Sequence, residues 1–279
     1  MERPKVVLIT GASTGIGRAT AIEMRGRGWR VFATVRRQTD VVDLTKVGRG
    51  LIEPLIMDVT KQEEVDRAIG TIRERAGRLD ALVNNAGIAV AGPLETLPVE
   101  ELRRQFEVNV FGLHRVTRAT LPLLRESRGR IVNISSAQGQ DVIPFAGPYA
   151  ASKHAVEALS DALRLELHGV VKVIVIQPGS VKTPIWEKTV MEDYSVYVNE
   201  HYPEEEIERL TRLYWKVGQR GIEPKAVAVA IGNALELPWP LPRWPVVARN
   251  RLPLLALRFL PTVLKDWLKR KALRWPPEA

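Results

Sequence analysis

The chain has 279 residues, 45% of them hydrophobic and 26% charged, an ordinary globular composition with ample material for a core and a length that suits one domain or two. It has no cysteine, which excludes a disulfide framework and thiol chemistry. The net charge of +9 is concentrated in residues 249–274, where Arg249, Arg251, Arg258, Lys265, Lys269, Arg270, Lys271 and Arg274 face Asp266 alone; the rest is near neutral, so nucleic acid is not expected as a partner.

The N-terminal stretch MERPKVVLITGAS carries a short apolar run that passes straight into glycine-rich sequence, a strand and turn rather than an export signal. No uncharged apolar stretch approaches the roughly 18 residues of a membrane span, so a cytoplasmic protein is expected. The runs KVVLIT, WRVFATV, PLIMD, LDALVNNAG, GRIVNISS and VKVIVIQPG read as strands, several apolar on both faces. Helical windows lie between them, the clearest from Lys61 to about Arg75, with Thr60 as N-cap and Glu63 completing a capping box. Strands alternating with helices predict an α/β fold with a doubly wound parallel sheet in three α/β/α layers.

Between the first strand and first helix, TGASTGIG places Gly11, Ser13, Thr14, Gly15, Ile16 and Gly17 where a pyrophosphate can approach backbone at a helix N-terminus. Alone, such a run serves equally as a structural turn. At the end of the second strand, ATVRRQ puts Val35 where a ribose-binding acid is expected and follows it with Arg36 and Arg37. Two guanidinium groups suit a 2′-phosphate, which favours NADP over NAD; the other reading is a solvated arginine pair. Farther on, Tyr149 and Lys153 stand four apart in a helical stretch and share a face, where an ammonium lowers the pKa of a phenol toward working range. His114, His154 and His168 show no metal-ligand spacing.

Residues 184–222 carry Trp186, Tyr194, Tyr197, Tyr202, Tyr214 and Trp215 and a helix start, PEEEIERL, with Pro203 at the first helical position. A helix over about Pro224 to Leu235 precedes the Pro/Trp-rich LPWPLPRWP. In the tail, Val263, Leu264, Trp267 and Leu268 recur at helical spacing among Lys265, Lys269 and Arg270. Such a basic amphipathic helix suits peripheral contact with a membrane surface; it suits equally well packing on its own domain, extending a substrate entrance or covering a dimer partner.

Seven pieces arrive in order: TGASTGIG at 10–17, Asp58-Val59, NNAG at 84–87, Asn109 in VNVFG, Ser136 in ISSAQG, Tyr149 with Lys153, and PGSVKT at 178–183. Together they make the chain resemble the single-domain branch of the short-chain dehydrogenase/reductase family over about residues 5–235, with a Rossmann-like fold. TPIWEK and the aromatic segment after it are similar to retinol/steroid dehydrogenase-like bacterial members. The resemblance implies an NADP-dependent oxidoreductase that interconverts a lipophilic ketone or aldehyde and its alcohol. Tyr149 would be the general acid and base, Lys153 its tuner and a ribose ligand, Ser136 the holder of the substrate oxygen, and Asn109 the holder of a water linking Lys153 to solvent. Asp58, beside Val59, would bond adenine; Asn85, Ala86 and Gly87 would line the ribose; Pro178, Gly179, Val181 and Thr183 would form the nicotinamide end. Some members place a cation before the second motif glycine; here that position is Thr14, so the 2′-phosphate would rest on Arg36 and Arg37. The expected organisation is one catalytic domain over 1–248, with a substrate lid at about 184–222 and a basic extension at 249–279, assembled as a homodimer or homotetramer. The rival reading is a non-catalytic NADP-binding sensor or scaffold with the same fold.

Overall fold

The computed structural model describes residues 3–48, 50–190, 195–248 and 259–274, with backbone alone at 188 and 190. Tyr194, Arg249, Arg251 and Arg258, named above, lie outside the described residues. Seven parallel strands form one sheet: β1 (Val6–Ile9), β2 (Arg30–Val35), β3 (Ile52–Ile56), β4 (Ala81–Asn84), β5 (Arg130–Ile134), β6 (Lys172–Pro178) and β7 (Arg243–Val246), in the order β3-β2-β1-β4-β5-β6-β7. Register is set by apolar pairs such as Leu8 with Leu82 and Leu82 with Ile131.

Side chains alternate across the sheet, so each strand feeds two cores. On one face Val7, Ile9, Val83, Val132 and Ile174 pack with helices α1 (Gly15–Gly26), α2 (Gln38–Gly48) and α9 (Pro224–Glu236). On the other, Leu8, Phe32, Leu82, Ile131 and Val173 pack with α3 (Gln62–Ala76), α5 (Leu113–Glu126) and α6 (Gly147–Glu166). Helix α4 (Val99–Phe106) leads into α5 through a π-helical turn, Glu107–Gly112. Phe32, Leu8 and Leu82 are wholly buried, each contributing about 1.5–3 kcal/mol. Among the described residues no helix is long and apolar enough to cross a membrane.

The six expected strands and the doubly wound layers are present. The seventh, β7, comes from the Pro/Trp-rich stretch, which does not read as a strand because proline lacks a ladder donor. Its Pro245 is accommodated because β7 is an edge, as is β3 with Pro54. The expected capping box of α3 is corrected: its N-cap is Lys61 and no side chain caps it. The Thr60 hydroxyl instead donates to Asp58 Oδ1 (2.8 Å), and Glu64, not Glu63, reaches back to the Asp58 N–H (2.8 Å). With Lys61 rather than Thr60 at the N-cap, Thr60 lies outside the helix and its N–H also goes to Asp58 Oδ1 (2.9 Å). Helix α8 (Glu204–Gln219) begins one residue late, with Pro203 as its N-cap.

A buried polar ladder crosses the sheet beneath its carboxyl end. Asn84 Nδ2 donates to Thr117 Oγ1 and Asn133 Oδ1 (both 2.9 Å), and Asn133 Nδ2 donates to Ser160 Oγ (2.8 Å). Asn133→Ala removes two of these bonds and should cost about 2 kcal/mol in urea unfolding; Gln62→Ala, at an exposed site on α3, should stay within about 0.5 kcal/mol.

Candidate active site

Strands β1 and β4 are neighbours, but the helices that follow them lie on opposite faces. That reversal opens a crevice at the carboxyl edge, where open α/β sheets take their ligands. Thr10, which sequence reasoning did not single out, closes its floor. Its Oγ1 accepts the N–H groups of Asn85 and Ala86, both at 3.0 Å. Asn85 Nδ2 returns two bonds, to Thr10 O (2.9 Å) and Gly11 O (3.0 Å). Gly11 is left-handed (φ 65°), and a Cβ there would stand 2.8 Å from Ala86 Cα; one at Gly17 would stand 2.4 Å from Asn85 Nδ2. Gly11 is therefore dictated by close approach to the Ala86 backbone, and Gly17 by close approach to the Asn85 side-chain amide and the Gly11 carbonyl.

Above this floor Ser13, Thr14, Gly15 and Ile16 turn into α1, whose first amides have no partner within the helix. Gly15 lies against Thr183, whose Cγ2 would be 3.1 Å from an added Cβ. At the end of β2, Val35 is buried and Arg36 and Arg37 are exposed. The two arginines differ. Arg37 is bound to Asp40 through Nε (3.1 Å) and Nη2 (3.0 Å); Arg36 has no hydrogen-bonding partner among the described residues. Burial works to raise the Asp58 pKa, but hydrogen bonds from Thr60 and the Arg36 charge hold the carboxyl below its usual range. Val59 packs on Gly112. This set fits a dinucleotide phosphate: a glycine turn on free helix amides, a guanidinium at the ribose end and no carboxylate in the slot after β2.

Asn109 sits inside the π turn, a geometry that bulges backbone out of a helix and recurs at functional sites. Its Oδ1 accepts from Ile88 N (2.9 Å), and its Nδ2 donates to Ile88 O (3.0 Å) and Ser152 Oγ (3.1 Å). Gly87 lies beside it; an added Cβ would come 3.3 Å from Asn109 Oδ1. Ser152 Oγ donates in turn to Tyr149 O (2.7 Å). One turn before Asn109, Gln105 clamps Val90 N (2.7 Å) and Ile88 O (2.9 Å). Gln105 and Ser152 were missed; the i, i+4 spacing of two amides on one helix was the available signal.

Ser136 follows β5 and is buried; its Oγ accepts from Gln138 N (3.1 Å), and its hydroxyl is directed to the Tyr149 phenol. Neighbouring Ser135 is a strand-end residue with its N–H on Ile176 O (2.8 Å). Lys153, 6% exposed, donates Nζ to Ile134 O (2.8 Å) and stands 5.6 Å from the centre of the Tyr149 ring. Burial lowers its pKa from 10.5 to about 8, opposed by the Glu157 charge. The expected depression of the Tyr149 pKa by Lys153 is not found. Burial raises it, with the Ser136 hydroxyl pulling the other way.

Beyond β6, Gly179 N donates to Val246 O (3.0 Å), so the unforeseen β7 holds the loop after Pro178. Val181 bridges to Ile222, and its carbonyl accepts the Trp186 indole N–H (2.7 Å). Trp186 opens α7 (Ile185–Val190) and lies on Gly218 of α8. Tyr197 packs on Gly92, Tyr214 Oη donates to Pro144 O (2.9 Å), and the Tyr202 ring meets Phe145 edge-on at 5.8 Å. These aromatics fasten segment 184–222 to the loops around Pro93 and Pro144. A groove of about 570 Å³ opens there, lined by Pro93, Leu94, residues 142–145, Gly147 and Tyr202, with Asp266, Lys269 and Arg270 of α10 (Thr262–Leu273) as its far wall.

Lys153 binds fewer protons folded than unfolded between about pH 8 and 10.5, so its contribution to stability rises with pH there. Between pH 7.5 and 9.5 the wild type should gain about 2 kcal/mol in unfolding free energy relative to Lys153→Met, read by urea titration at each pH.

A family model described as short chain dehydrogenase matches residues 5–193. The NADPH-dependent 3-dehydrocapnine reductase of Ornithobacterium rhinotracheale is 35% identical over 279 residues, covering 97% of this chain and 98% of that protein. The 3-ketodihydrosphingosine reductase of Bacteroides thetaiotaomicron is 36% identical over 231 residues, 82% of each. Among solved structures, a short-chain dehydrogenase from Streptomyces avermitilis aligns over all of both chains with a TM-score of 0.80 and 31% identity.

Proposed function

Because this chain belongs to the short-chain dehydrogenase/reductase family, whose enzymes act on CH–OH or carbonyl groups with a nicotinamide cofactor, we propose that it reduces a lipophilic ketone or aldehyde with NADPH. The observation that carries this is the convergence of Ser136, Tyr149 and Lys153 at the carboxyl end of β5, beside the switch-point crevice. The reducing direction is supported by two relatives named as reductases of a 3-dehydro and a 3-keto compound, and NADPH by the name of the first. Apolar Leu94, Val142 and Ile143 at the mouth support a lipophilic substrate.

In this reading NADPH supplies the hydride, held by the Gly11–Gly17 turn, Asp58, the Asn85–Gly87 segment and the Pro178–Thr183 loop. Arg36 is the first 2′-phosphate ligand, since it alone of the pair is uncommitted; Arg37 must share itself with Asp40. The Ser136 hydroxyl, which faces the Tyr149 phenol, turns its hydrogen to the substrate oxygen and fixes it beside that phenol. Tyr149 gives that oxygen its proton. Raised by burial, its pKa keeps the phenol protonated near neutral pH, which suits an acid in carbonyl reduction. Lys153 has one N–H on Ile134 O, leaving two for a ribose and for the water relay that the resemblance implies. Asn109 is then a positioning residue whose carboxamide fixes Ile88 and, through Ser152, the backbone of Tyr149.

With NADPH and a panel of carbonyls from small and polar to long and apolar, turnover should be strongest for apolar members. Tyr149→Phe should lower kcat by about 10²–10⁴. Arg36→Asp should raise the KM for NADPH by about tenfold or more with NADH little changed. Arg37→Ala should do less. A wild-type preference for NADH refutes the arginine assignment; tight cofactor binding without turnover favours a sensor.

A further inference from the structure

The groove beside the catalytic helix joins two unlike surfaces. Its near end is Gly147, which opens α6 two residues before Tyr149. Its floor is apolar and incompletely covered: Leu94 is 66% exposed and Val142 44%. The floor is also fixed in shape. Phe145 is a non-glycine residue at φ 62°, and such a conformation persists only where its surroundings enforce it. Here Gly92 N donates to Phe145 O (2.8 Å), Tyr214 Oη donates to Pro144 O and the Tyr202 ring abuts Phe145. Large apolar side chains held in place at the edge of a site, with space of about 570 Å³ before them, match a preformed small-molecule cleft in size and lining.

The far wall is α10, and polar contacts dock it. Lys269 pairs with Asp141, and Arg209 donates to Leu273 O (2.9 Å) and Arg274 O (3.3 Å) at the C-terminal end of α10. The apolar residues of α10 contribute little to docking: Val263 is 80% exposed and Trp267 51%, and none is fully buried, Leu268 and Leu273 being half-buried. So the tail is held at this place by charge and leaves charge facing the groove. Lys269 is committed to Asp141; Arg270 has no partner among the described residues. Lys265 and Lys271 add to the positive potential, against Asp266 alone.

We infer that α10 is a wall of the substrate site, and that the groove takes an amphiphile whose alkyl chain lies along Leu94, Val142 and Ile143 and whose anionic head group meets Arg270. This deepens the oxidoreductase reading and rests on it for the reacting end. Arg270 is a specificity residue under this assignment: it selects the head of the substrate and takes no part in hydride or proton movement.

The test uses the full chain with Arg270→Glu, and with Lys225→Glu as the same change of charge on α9. The probes are oxo-octadecanoates with the ketone at different chain positions and their methyl esters. Kinetics with NADPH give the ratio of kcat/KM for acid over ester, and calorimetry gives the ratio of affinities without turnover. Wild type and Lys225→Glu should prefer the acid, and Arg270→Glu should lose about tenfold of that preference in both ratios. An equal preference in wild type and Arg270→Glu, or none in wild type, overturns the inference. Reduction of small ketones without binding of any long oxo acid overturns it while the oxidoreductase reading stands. Arg270-dependent binding with no carbonyl reduced by either cofactor upholds the groove and refutes that reading. If Arg270→Glu abolishes only sedimentation with phosphatidylglycerol vesicles, the cation serves a lipid surface and the inference fails.

Discussion

Four hydrogen bonds at the parting of β1 and β4 set the reference frame for everything above them. Thr10 takes two backbone amides from the segment after β4, and Asn85 returns two bonds to the turn after β1. Strand ends at a switch point would otherwise splay, because the chains leaving them run to opposite faces. Tied together, they give the glycine turn a fixed partner on one side and Ile88 a fixed height on the other. Ile88 is then gripped by Asn109 and Gln105, and through Ser152 the same grip reaches Tyr149 O. The catalytic helix is thus placed against the cofactor turn by a chain of buried polar contacts. Such contacts are specific because each unmade one is costly in a dry interior.

A second network works from the opposite edge. Glu157, one turn after Lys153, accepts from Gln177 Nε2 (3.0 Å) and from Arg243 Nε (2.9 Å), and Arg243 also pairs with Asp161 at 2.6 Å. Arg243 belongs to β7, so the last strand is ionically fastened to the helix that carries the site. The same Glu157 offsets part of the burial cost of the Lys153 ammonium. An edge strand that looks remote is therefore one link from the group that most needs its charge kept.

Much of this was legible in the residues. Apolar runs marked the six interior-reading strands, and TGASTGIG, Ser136, Tyr149 and Lys153 fell at strand ends and on one helix, as their spacing required. What escaped had physical causes. β7 carries Pro245, and the proline rule warns against a strand without knowing which strand will be an edge. Thr60 looked like a cap because a hydroxyl before a helix usually is one, but the helix starts one residue later and Thr60 turns to Asp58 instead. The arginine pair read as equivalent until Asp40 separated them. The Tyr149 pKa went the other way because the phenol is buried, and burial penalises the phenolate; which side chains the fold will bury is not written in a four-residue spacing. Gln105 and Ser152 act through backbone groups of distant segments, so the i, i+4 spacing of Gln105 and Asn109 marks a pair without saying what it grips.

Both margins of the sheet, β3 and β7, contain a proline. Seated at an edge, a proline turns its ring nitrogen outward, so each free margin offers one donor fewer to a neighbouring strand, at Pro54 and at Pro245. Copies of this molecule are thereby discouraged from joining margin to margin into a continuous ribbon. Two imino acids far from any chemistry thus weaken both margins as templates for an added strand.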